Sequence, residues 1–140
     1  MRRKAREYAV QILYALDLNP APLKDFLKVF WELHTAKPEV VTYATSLVQG
    51  TLEKQSEIDE LISTHSSHWK IDRMAVTDRN ILRLGTFELK AEQTVPARVV
   101  INEAIEIAKK YGTSDSATFI NGVLDSIHQK LTEDPSQRAS

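Results

Sequence analysis

No cysteine occurs among the 140 residues, which excludes disulfide staples, thiolate metal sites and cysteine nucleophiles, and fits a protein of the reducing cytoplasm. Glycine is scarce too. Gly50, Gly85, Gly112 and Gly122 stand too far apart to form a dinucleotide fingerprint or a P-loop. No apolar run approaches the roughly 18 residues of a membrane span, and the N-terminus has no apolar signal-peptide core, so the chain is expected to be soluble, without a membrane partner. Period-two alternation and hairpin signals are also missing: Asn121-Gly122 falls inside a helical pattern. Catalysis needs a nucleophile with its base, paired carboxylates or an open metal site, and the sequence offers none of these. His65 and His68 are three apart, with neither a third ligand nor a His-Glu-x-x-His frame, so no metal or other cofactor is expected.

What is present is charge in one place. Arg2, Arg3, Lys4 and Arg6 put four of the 18 basic side chains into the first six residues, in a chain with 19 acidic residues and a net charge of -1. Cations in the first turn of a helix oppose its macrodipole, which favours Asp or Glu there. A cationic tip held at that cost on a mildly acidic body points to phosphate, and so to nucleic acid.

Apolar spacing is helical nearly throughout. Ala5, Ala9, Ile12, Leu13 and Leu16 make one stripe, opposite which Arg3, Glu7 and Tyr14 project, so Tyr14 is expected to be exposed. Asn19-Pro20-Ala21-Pro22 stops this helix. A second helix spans 23–33, and a third begins at Glu39; Gly50 and the polar run 53–56 suggest a break before Ile58, Leu61 and Ile62 continue, one long kinked helix being the other reading. Residues 65–72 read as a connector with Trp69 plugging the core. Helices follow over 76–92, from Pro96 in a first turn to Tyr111-Gly112, and over 116–131, with Asp115 placed to cap the last. Gly85 and Gly122 are expected to allow close helix contact. Arg79, Arg83, Thr86 and Lys90 recur at helical spacing as a polar, cationic side, solvated or else in contact with RNA or protein, while Glu88 turns toward the apolar side and needs a cationic or hydrogen-bonding partner. At this length one domain suffices, so residues 1–131 form a single all-α unit of six to seven helices with no sheet, and 132–140 a polar tail.

Three blocks carry a resemblance. Residues 3–14, RKAREYAVQILY; Trp69 and Arg73, followed by 78–84, DRNILRL, with Glu88-Leu89; and 100–111, VINEAIEIAKKY, with 119–125, FINGVLD, resemble the bacterial NusB family of transcription antitermination factors, in order from residue 3 to about 127. The resemblance implies two small helical bundles packed across each other in a non-enzymatic RNA-binding adaptor. It also implies that the protein pairs with NusE, a small-subunit ribosomal protein, on the boxA element of nascent ribosomal RNA and helps RNA polymerase resist termination. By position, Arg2, Arg3, Lys4 and Arg6 fall on the family's RNA side, Phe119, Asn121 and Arg73 in its second RNA-facing region, and Tyr14 and Asp78 where it meets NusE. Asp115 would border the RNA and repel its phosphates. Thr118 departs from the pattern, since the family often has a basic residue there, and one phosphate contact is lost with it.

Phe119 and Asn121 make sense in such a site, as a ring that stacks and an amide that reads a base edge. Phe119 also belongs to an apolar stripe with Ile120, Val123, Leu124 and Ile127, which makes core packing its other reading. Two other functions fit the same features: a protein-interaction domain anchored by Tyr14, or a detached accessory domain of a ribosomal RNA methyltransferase. An apolar edge around Val10 and Tyr14 would also suit a homodimer.

Overall fold

A computed structural model describes residues 2–66, 70–91 and 95–134. Within them lie seven α-helices and no strand: α1 (Arg2–Leu18), α2 (Leu23–Leu33), α3 (Pro38–Glu53), α4 (Gln55–His65), α5 (Val76–Lys90), α6 (Ala97–Tyr111) and α7 (Ser116–Glu133), with one 3₁₀ turn at Ile71–Arg73. The all-helical expectation holds. Trp69, expected as a core plug, and His68 lie outside the described residues, as does Glu92, while α5 ends at Lys90.

The α1 stripe becomes the seam of the molecule. Ala5, Ala9, Ile12, Leu13 and Leu16 are all buried. A fully buried Ile or Leu contributes roughly 1.5–3 kcal/mol. On one side α1 packs along α3, and the aromatic face of α2 closes over Tyr8, with the Phe30 and Trp31 rings edge-on at 5.9 and 5.3 Å. On the other side α1 crosses α5, the hub of a second bundle with α4, α6 and α7. Asp17 near the end of α1 meets Arg79 near the start of α5, and Arg6 meets Glu88 near its end, so these two helices run antiparallel. Arg3 meets Glu103 and Glu7 meets Lys110, so α6 runs parallel to α1.

Proline and glycine punctuate the chain somewhat differently from expectation. Pro38 opens α3 at its first turn, where a missing N–H costs nothing. Pro96 stands just before α6, in extended conformation, rather than inside it. The break between α3 and α4 comes at Lys54, inside the expected stretch, while Gly50 stays within α3, where the Phe87 ring of α5 lies against it and a Cβ would overlap the ring. Gly85 does allow close packing: a Cβ would come within 2.9 Å of Leu124. Gly122 does not, for nothing lies within 4 Å of a Cβ at that position. Asp115 occupies the cap position of α7 without a side-chain capping bond; instead the Ser116 hydroxyl accepts from the Thr113 amide.

The expected solvated cationic side of α5 is a correction. Arg83, Thr86 and Lys90 are buried and Arg79 is half-buried. The Arg79 guanidinium donates to both Asp17 oxygens at 2.7 and 2.8 Å, and Arg83 bridges Asp59 of α4 and Asp17 of α1. A helix contacted by five others has no free side on which to leave arginines in water.

Candidate nucleic-acid interface

The cationic tip divides by depth. Arg2, Arg3 and Lys4 are exposed on the first turn of α1, but Arg6 is not: its side chain is only 4 % exposed. Its guanidinium is clamped to the Glu88 carboxylate, Nε to Oε2 at 2.9 Å and NH2 to Oε1 at 2.9 Å. Placing Arg6 among exposed phosphate contacts is therefore corrected. Arg6 shares a face with buried Val10 and Leu13 at i, i+4, i+7, a signal the charge run hides. The same pair answers the expectation that Glu88 needs a cationic partner.

Arg3 is paired differently. It donates to Glu103 through Nε at 3.0 Å and NH2 at 2.7 Å, yet its side chain remains 57 % exposed. The hydrogen bonds and charge of Arg3 hold the Glu103 carboxyl below its usual range. Arg2 lies 5.1 Å from the Tyr43 ring centroid and Lys4 4.9 Å from that of Tyr8, cation–π contacts that stiffen long side chains and leave the charges facing water. Carboxylates from α5 and α6 thus do what no first-turn acid of α1 does: they compensate cations at the positive end of the helix.

One turn further along, Glu7 is buried. Burial alone would raise its pKa, but hydrogen bonds from Lys110 Nζ at 2.8 Å and the Tyr111 hydroxyl at 3.1 Å outweigh that and lower it. These bonds fix the last turn of α6 to α1. The 3₁₀ turn, the start of α5 and the start of α7 then enclose a cleft of about 520 Å³ lined by Arg73, Asp78, Thr113, Asp115, Thr118 and Phe119, among others.

Arg73, Asp78 and Phe119, far apart in sequence, are thus brought together. Arg73 is exposed. Asp78 is half-buried, and its Oδ1 finds no hydrogen-bond partner among the described residues. Phe119 is half-buried and packs its inner side against the core, which accommodates both of its readings. Asn121 is exposed on α7 but does not line the cleft, because two residues along a helix turn about 200° away. Tyr14 is 40 % exposed, as expected, but Val10 is buried; the apolar edge of α1 is formed by Tyr14 and Leu18. His65 shares a hydrogen bond of 2.7 Å with Ser126, linking α4 to α7.

No helix among the described residues is long and apolar enough to cross a membrane. The sequence model described as the NusB family matches residues 3–129. Among similar proteins, the transcription antitermination protein NusB of Bdellovibrio bacteriovorus is 46 % identical over 128 residues, covering 90 % of this chain and 93 % of its own. That of Myxococcus xanthus is 43 % identical over 136 residues, covering 94 % and 97 %. Among solved structures, T. maritima NusB superposes with a TM-score of 0.83 at 37 % identity, covering 93 % of this chain and 92 % of that one. A chain from a complex of antitermination factors NusB and NusE with double-stranded RNA superposes with a TM-score of 0.80 at 32 % identity, covering 92 % and 96 %. With the family match spanning nearly the whole length and the same helical fold beneath it, this chain belongs to the NusB family.

Proposed function

We propose that the protein is a non-enzymatic transcription antitermination factor that binds a boxA-type single-stranded RNA together with NusE, within the antitermination complex of RNA polymerase. The observation that carries this reading is the open triad Arg2, Arg3 and Lys4 on the first turn of α1, with Arg3 held by Glu103 of α6, in a fold whose relative was solved with NusE and RNA. In this reading residues 1–131 are one RNA-binding domain and 132–140 a polar tail outside it, and the protein works in the cytoplasm. Arg2, Arg3 and Lys4 contact phosphates, Arg6 supports them from below, and Arg73, Phe119 and Asn121 extend the RNA face. Tyr14 and Asp78 serve the NusE side, Tyr14 as the exposed aromatic on α1.

Titration of boxA-like and scrambled RNA at two salt concentrations, with and without NusE, tests the proposal. Weak, salt-sensitive binding alone and tighter, sequence-selective binding with NusE are expected. Replacing Arg2, Arg3 and Lys4 by alanine removes three phosphate contacts, so the salt slope should fall by about 2 at roughly 0.7 per contact on a single strand. NusE binding and helix content should hardly change. Unaltered boxA affinity in that triple variant refutes the assignment of the tip to RNA.

A further inference from the structure

Between the cationic tip and the Phe119 cleft stands a ring that the core does not use and that joins the ion-pair network only through its hydroxyl. Tyr111, the last residue of α6, is 41 % exposed and is not among the aromatic side chains packed against the hydrophobic core. Its hydroxyl donates to Glu7 Oε1, but Lys110 donates to that same oxygen at 2.8 Å, so the carboxylate has a cationic partner without the tyrosine. The bond anchors the hydroxyl end of the ring and leaves the aromatic plane at the protein surface.

The surroundings are suited to RNA. Lys110 Nζ stands 5.3 Å from the Tyr111 ring centroid. Arg3, Lys109 and Lys110 share with Glu7 and Glu106 the groove that runs between α1 and α6. Glu103, which holds Arg3, is eight residues before Tyr111, about 12 Å along the helix axis at 1.5 Å per residue. Thr113, two residues after Tyr111, already lines the Phe119 cleft. An RNA strand passing from the tip to the cleft thus crosses the end of α6.

We propose that Tyr111 is a base-stacking platform for single-stranded RNA, flanked by Lys110 and Lys109 as phosphate contacts, which joins the cationic tip to the Phe119 cleft as one continuous track. The proposal rests on the RNA-binding reading given above. A pinned ring loses little conformational freedom when a base stacks on it, and stacking is tolerant of base identity, so this subsite contributes affinity more than sequence choice.

The test uses the full chain with NusE and a boxA-like RNA carrying 2-aminopurine at successive positions, whose fluorescence is quenched by stacking. Tyr111→Ala should weaken RNA binding ~5- to 150-fold, the range for loss of one stacked base, and abolish quenching at one position. Tyr111→Phe, which keeps the ring and gives up the anchoring hydroxyl, should restore the quench and bind more weakly than the parent but more tightly than the alanine variant. Tyr111→Leu keeps apolar bulk without a π face and should behave like the alanine variant, even if alanine disturbs the helix end. NusE affinity should stay constant across the series. RNA binding by Tyr111→Leu equal to that of the parent, or a loss confined to NusE binding, overturns the proposal. Failure of the parent protein to bind RNA at all would instead defeat the broader functional reading.

Discussion

At the scale of single residues, two arginines three positions apart do opposite work. Removing one partner of a buried ion pair strands the other charge in a poor solvent, which costs about 3–5 kcal/mol, whereas an exposed pair is screened by water and contributes little. Arg6 belongs to the first class and Arg3 to the second. Arg6→Met should therefore lower unfolding stability in urea by several kcal/mol, and the double change Arg6→Met with Glu88→Leu should recover most of that loss. Arg3→Ala should leave stability close to that of the parent while weakening RNA binding. A larger stability loss for Arg3→Ala than for Arg6→Met would contradict this division. The sequence announces the four cations but not their depth. Glu88 on an apolar face does signal a buried cation, yet which one answers it depends on the crossing of α1 and α5, which no local spacing encodes.

At the scale of elements, the same substitution should act with opposite signs in two helices. Gly50 sits mid-helix in α3 beneath the Phe87 ring, so Gly50→Ala must displace that ring, an overpacking cost of typically about 1–3 kcal/mol. Gly122 sits mid-helix in α7 with open space around it, so Gly122→Ala should gain up to about 1 kcal/mol from helix propensity alone. Thermal or urea unfolding of both variants checks the contrast, and stabilisation by Gly50→Ala would show the Phe87 contact to be inconsequential. Helical character was legible from apolar spacing along the described helices, because each buries a stripe of period 3.6, but the division of α3 from α4 was not, since the same stripe fits one long kinked helix. Which glycines face a neighbour was not, since that depends on which helix comes alongside. For α5 the periodic reading failed more deeply: a hub helix is covered on all sides, and its arginines face carboxylates rather than water. The cleft was legible only in part, because Arg73, Asp78 and Phe119 were individually indicated while their convergence was a product of the fold.

At the scale of the whole molecule, α1 is fastened to the second bundle by carboxylates that must stay ionised. Glu103 is held below its usual range by Arg3; Glu7 and Asp17 are held below theirs because hydrogen bonds from Lys110 and Tyr111, and from Arg79 and Asn80, outweigh the upward push of burial. For a carboxylate whose folded pKa is depressed, the contribution to stability is complete above the unfolded value, about 4, and is lost as pH falls through the folded value. His65, lowered by burial with a smaller push from Lys130, adds a loss in the same direction that begins nearer its ordinary value of 6.5. Stability in urea should accordingly be highest near neutrality, decline gently below about pH 6.5 and fall steeply below about pH 4. Asp17→Asn should be less stable than the parent at pH 7 and show a shallower fall in the acid limb, because the Arg79 and Arg83 guanidinium groups have already lost their charged partner on α1. A parent protein equally stable at pH 7 and pH 3.5 would mean that these ion pairs do not fasten α1. The expected outcome is instead that acid loosens α1 from α5 and α6 together, and with it the cationic tip from the helix that orients Arg3 and Tyr111.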